Sequence, residues 1–306
     1  MWQHLEWKTR IKLRLQYGKT YAWARRSVLR FLNKMGYPYP IFLDFPLEAK
    51  PRYGWGKPPH PGLAALFDRR RGEFRNRLAA FLEFKDELLA IQRQCAGPQS
   101  VTPCWLNDSL PALDMVAIYG MLAQLDPKRY LEIGIGNSTK VARYAVETRK
   151  LRTRIIGIDP FAVNAREGVC DELLRERLED MDLAFFDQLE PGDVLFIDNS
   201  HRVFMNSDVT VVFMDLLPRL KPGVVVHIHD ITLPVDYPPT YVEHWYSEQY
   251  VLGAVLMLGE PRFEILLANA FCSFDQELAH VLDPLWAHEQ FEGVAPHGSS
   301  IWLRMR

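Results

Sequence analysis

The chain has 306 residues, 48% hydrophobic and 24% charged, with a formal net charge of -2. That apolar fraction and balanced charge exclude a disordered chain, and no run of about 18 apolar residues exists to form a spanning helix. The N-terminus lacks the apolar core of a signal peptide, and the length suits about two domains, or one with an extension. Charge is unevenly placed. Residues 1–52 hold 11 Lys and Arg against 3 Asp and Glu, so the remaining residues are strongly acidic. Cys95, Cys104, Cys170 and Cys272 have no metal-like spacing and are expected as reduced thiols of a cytoplasmic protein.

In chain order, 5–17 gives no clear element, and Tyr21, Ala24, Val28 and Phe31 predict a helix over 20–34. Seven prolines between 37 and 61 predict a connector without helix. An apolar stripe from Leu63 to Leu89 predicts helix over 62–94, closed by Gly97-Pro98, and 114–125 is a second amphipathic helix after a loop. From 129 the pattern alternates. Strands are expected at 129–133, 154–158, 178–181, 193–197, 224–228, 263–269 and 300–304, with helices at 138–148, 169–177, 208–220 and 248–258. Alternation of this kind implies a parallel α/β sheet, with ligands beyond the carboxyl ends of its strands.

The residues after each strand therefore matter most. Glu132-Ile133-Gly134-Ile135-Gly136-Asn137-Ser138 offers a tight turn and a helix cap but lacks the third glycine of a dinucleotide fingerprint, which points to a ligand without a pyrophosphate. Asp159, 23 residues beyond Gly136, can accept both hydroxyls of a ribose. Asp180, after the expected third strand, is a candidate acceptor for an adenine amino group.

Glu132-x-Gly134-x-Gly136 and Ile156-Gly157-Ile158-Asp159 resemble the first two motifs of the class I S-adenosylmethionine-dependent methyltransferases. Residues 130–139, 193–201, 220–230 and 298–302 extend the resemblance to a bacterial subfamily, methyltransferase domain 24, related to catechol and macrocin O-methyltransferases. It covers roughly residues 100–306 and begins weakly at 53–60. The resemblance implies a Rossmann-like, seven-stranded, mostly parallel sheet with its last strand antiparallel. It implies a methyltransferase domain at 101–306 behind a basic, proline-rich and helical extension at 1–100. It also implies that Glu132, Gly134, Gly136, Asn137 and Ser138 surround S-adenosylmethionine and that Asp159 holds its ribose.

In the catechol-type relatives the fourth strand ends in a metal-binding Asp with a Lys base three positions later. Here Asp198 matches the Asp, and His201 stands at the Lys position as a candidate neutral base. Asp230 matches the carboxylate after the fifth strand, while Ile231 replaces an Asn ligand. A divalent metal held by Asp198, His229 and Asp230 is a further expectation. His227 is expected in the core, on the strand face opposite His229. The proline-rich 233–240 segment and the aromatics after it could form a lid or an ordinary surface connection.

The expected activity is O-methylation of a small-molecule acceptor, such as a sugar or polyol hydroxyl. Two alternatives stand beside it: a metal-dependent oxygenase or hydroxylase on the same fold, and a non-catalytic cofactor-bound protein. The basic head is expected to pack over or beside the cofactor edge, and contact with a membrane surface or polyanion would run through residues 1–52. No nucleic acid is expected, and an oligomer is possible.

Overall fold

The structure is a computed structural model that describes residues 26–28, 30–32, 34–35, 48–97, 100–162, 168–258 and 262–306. The chain divides into two units, Met1–Ala49 and Lys50–Arg306. In the first, the described residues from 26 to 34 are helical, as the spacing predicts. The rest of the expectations for 5–17, 20–34 and 37–47, and for the placing of the basic head, lie outside the described residues.

The second unit opens on residues 50–60, which contain no helix. Helices α1 (Pro61–Asp68), α2 (Arg71–Phe81) and α3 (Lys85–Leu89) follow. They replace the single helix expected over 62–94 with three short ones. Pro61 starts α1 and the His60 ring accepts from the Leu63 amide, so the proline closes the connector and begins the helix. Strands β1 (Gln92–Gln94) and β2 (Cys104–Leu106) then pair in parallel. This corrects the expectation of four reduced thiols. The Cα atoms of Cys95 and Cys104 lie 5.1 Å apart, and the two are joined as a disulfide. Cys170 and Cys272 remain free, and burial pushes the Cys170 thiol up to about 12.

Helix α4 (Ala112–Leu125) leads into the main sheet. Its strands are β3 (Arg129–Ile133), β4 (Arg154–Ile158), β5 (Glu172–Leu174), β6 (Val194–Ile197), β7 (Val225–His229), β8 (Phe263–Ala268) and β9 (Ser300–Met305). The spatial order is β5-β4-β3-β6-β7-β9-β8. Only β9 runs antiparallel, paired on both sides, so the seven-stranded Rossmann-like α/β fold stands as expected. The central strands are buried on both faces, as continuous apolar runs such as Val194–Ile197 require. The order reverses between β3 and β6. The β3 loop therefore faces the carboxyl ends of β4 on one side and of β6 and β7 on the other. Helix α5 (Asn137–Arg149) packs beside α4, helix α6 (Asp208–Val211) opens the crossover to β7, and α7 (Glu248–Leu258) precedes β8.

One segment departs from its local pattern. The helix expected over 169–177 is instead the edge strand β5, and the strand expected at 178–181 is a short 3-10 turn, Leu178–Asp180. Glu-Leu-Leu-Arg-Glu-Arg favours helix by composition. Pairing with β4 overrides it, since the Asp171 amide donates to the Ile155 carbonyl and its carboxylate accepts from the Ile155 amide at 2.7 Å.

Candidate functional site at the carboxyl edge of the sheet

On the β3 side the site is built from main chain. Gly134 has φ +80, and a Cβ there would lie 1.9 Å from the Asp198 carbonyl oxygen. Only glycine lets the β3 and β6 ends approach this closely. The Gly134 amide donates to the Ile158 carbonyl and the Asp198 amide to the Ile133 carbonyl, each at 2.9 Å, which fixes the loop to both neighbouring strand ends. At Gly136 nothing lies within 4 Å of the place a Cβ would occupy, so the loop leaves an open space. Its amide donates to the Thr139 hydroxyl at 2.9 Å, tying the loop to the first turn of α5.

Glu132 is fully buried. The Ser138 hydroxyl donates to its Oε1, while Oε2 has no hydrogen-bond partner. Burial pushes this carboxyl up to about 8, with the Ser138 and Thr139 hydroxyls pulling the other way. Ser138 thus turns inward to orient Glu132. The Asn137 amide reaches Asn107 and Ser109, at 3.2 and 2.9 Å, and holds the loop after β2 over the glycine turn. Asp159, directly after β4, accepts from the Phe161 amide at 2.8 Å and lies 3.4 Å from the Ile135 amide, so it braces the turn whose ligand it is expected to hold. Asp180 does not end a strand. The last residue of β5 is Leu174, and the Asp180 side chain is 72% exposed. The strand-end position behind its adenine assignment is therefore not where it lies.

On the β6–β7 side the site is made of titratable side chains. His201 is buried, with φ +57. Its Nδ1 lies 2.9 Å from Glu248 Oε2, and its Nε2 lies 3.2 Å from Asp198 Oδ1 and 3.5 Å from Asp230 Oδ2. Burial would lower this imidazole, but the carboxylates outweigh it and push it up to about 10. Against the expectation of a neutral imidazole near pH 7, these carboxylates favour the protonated ring. For Asp198 burial works upward, and His229 and His201 outweigh it to hold the carboxylate well below its usual range.

His229 has a similar arrangement at longer range. Its Nδ1 is 3.4 Å from Asp198 Oδ1 and 3.9 Å from Asp230 Oδ1, and its Nε2 is 3.8 Å from Asp114 Oδ2. Burial lowers it, Asp198 raises it, and the outcome is about 9. Each histidine thus has one fully buried carboxylate at its back and shares Asp198 and Asp230 in front. Asp114, in the first turn of α4, is itself satisfied by the Asn269 amide, the Ser300 hydroxyl and the Ser299 amide, at 2.7, 2.7 and 2.8 Å.

His227 is a core residue, as expected, but not on the opposite face. Residues two apart on a strand share a face, and His227 and His229 both pack on Phe196, at 4.6 and 6.3 Å. His227 stacks on Trp302 at 3.9 Å, has no hydrogen-bond partner, and is driven well below its ordinary value by burial, then by His229.

The site fits a metal poorly. Among the described residues no group of three or more His, Cys, Asp and Glu is arranged to hold one. Asp198, His229 and Asp230 do come together, but the imidazole edges point at the oxygens an ion would need, and imidazole is a poor magnesium ligand.

The wall beyond this cluster is aromatic. Tyr246 packs 4.7 Å from His201, and Tyr237, Tyr241 and His244 pack around Tyr246. Of the 233–240 segment, residues 233–237 are buried and 239–240 are exposed. The 52–60 strand of chain clamps them: the Tyr53 amide donates to Asp236 at 2.9 Å, the Trp55 indole to the Asp236 carbonyl at 2.8 Å, and the His60 amide to the Pro234 carbonyl at 2.8 Å. Sequence reasoning missed Glu248, Asp114 and Asp236. Each is a lone acid in an ordinary-looking segment, and only tertiary packing buries it.

A glycine turn at the switch point, an acid after the second strand and a seven-stranded sheet with one antiparallel strand are features of the class I methyltransferase fold, and this chain has all three. Residues 131–231, about a third of the chain, match a family described as "Methyltransferase domain", a segment that contains the glycine turn, Asp159, Asp198, His201, His229 and Asp230. None of the curated proteins matches. Among solved structures, the chain is similar to an S-adenosylhomocysteine-bound methyltransferase of Podospora anserina, PaMTH1, with 15% identity, 79% of this chain and 96% of that chain covered, and a TM-score of 0.40. It is similar to the plantazolicin methyltransferase BamL in complex with a triazolic desmethylPZN analog and SAH (14%, 78% and 98%, 0.38) and to a cmcI structure with Mg and SAM (15%, 62% and 70%, 0.36). Among the described residues no helix is long and apolar enough to cross a membrane.

Proposed function

We propose that the chain transfers a methyl group to a hydroxyl of a small polar acceptor, a sugar or polyol, and that the Asp198–His201–Asp230 cluster receives the acceptor's proton. One observation supports this above the others: His201, backed by Glu248 at 2.9 Å, presents Nε2 at the carboxyl end of β6, beside the glycine turn. A side chain oriented from behind by a buried acid is the arrangement that general bases use.

Glu132, Gly134 and Gly136 would hold the cofactor's methionine and ribose. The open space at Gly136 and the unpartnered Glu132 Oε2 fit a bound group with hydrogen-bond donors. Asp159 would accept from the ribose hydroxyls. S-adenosylmethionine supplies a methyl on a sulfonium, so the carbon–oxygen bond forms as the carbon–sulfur bond breaks and the sulfur keeps the electron pair. The acceptor's hydroxyl would lie against the cluster, with Tyr241 and Tyr246, both part-exposed, as walls for the apolar faces of a sugar ring. His201 rests protonated, so the cluster sheds a proton before taking the acceptor's. The coupled groups titrate as one unit. A divalent metal has no place in this reading.

Residues 101–306 carry all of these groups, which is why we assign the catalytic domain there, with a small molecule as its partner. The test is methyl transfer from labelled S-adenosylmethionine across a panel of sugars and polyols. Acceptor-dependent release of S-adenosylhomocysteine, lost in Asp198→Asn, is expected. Transfer only to amine or thiol acceptors would refute the hydroxyl assignment.

A further inference from the structure

We propose that His201, braced by Glu248, takes the place of a cation between Asp198 and Asp230, so that a side-chain N–H stands where a divalent metal would otherwise bind. The inference concerns the same cluster as the proposed proton acceptor and deepens that reading, but it stands on geometry alone. Both edges of the ring face carboxylate oxygens, Nδ1 at 2.9 Å from Glu248 and Nε2 at 3.2 and 3.5 Å from Asp198 and Asp230. A neutral imidazole has one N–H and one acceptor nitrogen, and an acceptor nitrogen against a carboxylate is repelled. The arrangement is satisfied with a hydrogen on Nε2, shared between Asp198 and Asp230, and one hydrogen between Nδ1 and Glu248.

The ring is held there by several independent contacts. Glu248 is fully buried, and its other oxygen accepts from the Asn199 amide at 3.0 Å. Asn199 Oδ1 accepts from the His201 amide at 2.8 Å, and the His201 carbonyl accepts from the Ser247 and Glu248 amides at 2.8 and 3.2 Å. These bonds keep His201 at φ +57, a left-handed conformation that a non-glycine residue adopts only when its surroundings impose it. Glu248 is therefore a positioning residue: it sets the ring between the two acids and supplies the charge behind it. A metal bound to Asp198 and Asp230 would lie about 2 Å from their oxygens and would compete for them with the Nε2 hydrogen.

Binding of Mn2+ alone, read by electron paramagnetic resonance at pH 7, tests this without any turnover, with S-adenosylhomocysteine affinity as the control for a folded cofactor site. Wild type is expected to show no saturable Mn2+ binding at millimolar concentration. His201→Ala is expected to bind one Mn2+ at least tenfold more tightly than wild type, and adding Asp198→Asn should remove that gain. Glu248→Gln keeps the imidazole but removes the charge behind it, and it should shift affinity the same way by a smaller factor. Wild-type binding of one Mn2+ that Asp198→Asn abolishes would overturn the proposal, as would variants that keep cofactor affinity and gain no metal. Failure of the methyltransferase reading would instead appear as absent S-adenosylhomocysteine binding in wild type, whatever the metal result.

Discussion

The two halves of the sheet edge are built on different principles. On the β3–β4 side, glycine geometry and main-chain amides set the shape, and the few side chains, Glu132, Ser138 and Asp159, bond to one another or to the loop. On the β6–β7 side, two histidines and four carboxylates are packed so that each charge answers another. The first half suits an invariant ligand, because a backbone cradle depends on shape. The second suits proton handling, because its groups keep their charges only while their neighbours do. A substitution on the first side should change affinity, and one on the second should change rate.

Gly134→Ala should have the largest effect of all. Its Cβ has no room against the Asp198 carbonyl, and the strained φ adds about 1–3 kcal/mol, so thermal unfolding should show a large loss of stability together with loss of cofactor binding. Next is His201→Gln, for which kcat should fall by about 10²–10⁴-fold while S-adenosylhomocysteine affinity stays within a few-fold. A parallel loss of both would erase the distinction between the halves. Asp159→Ala reverses the pattern, with cofactor affinity weakened at least about tenfold, or about 1.4 kcal/mol, by calorimetry.

The pH dependence sharpens the same contrast. His201 is raised to about 10 in the folded chain. Its pairing therefore adds stability in full below the unfolded value of about 6.5, and that stability is lost as pH rises through about 10. The rate should rise over the same interval as the cluster sheds its proton, so activity and melting temperature should move in opposite directions. A rate that falls from pH 7 to 9 would contradict the proton-acceptor role. The smallest effect is expected at His227, which has no polar partner and stacks on Trp302. His227→Phe should leave kcat unchanged and stability within about 1 kcal/mol at neutral pH, while protecting against acid, since a buried imidazole must charge on acid unfolding.

Much of this was legible in the sequence because the informative residues are local. Gly134, Gly136 and Asp159 follow apolar strand patterns directly, and Asp198, His201 and Asp230 follow the next two, so strand assignment alone placed them at one edge. The β5 region failed because its local composition favours helix, and only the pairing of Glu172–Leu174 with β4 makes it a strand. Asp180 was misplaced with it. Glu248, Asp114 and Asp236 were invisible for a related reason: each is one acid in a helix or loop, and its role comes from a partner 47 to 186 positions away in sequence. The Cys95–Cys104 bond likewise is not revealed by a spacing argument.

The division of labour between the two halves is tested most directly by one calorimetric series, titrating S-adenosylhomocysteine into wild type, Asp159→Ala and His201→Gln and assaying turnover on the same samples. Wild type should bind, Asp159→Ala should bind at least about tenfold more weakly, and His201→Gln should bind like wild type while losing turnover. Absence of binding by wild type, or equal loss of affinity in both variants, would contradict it.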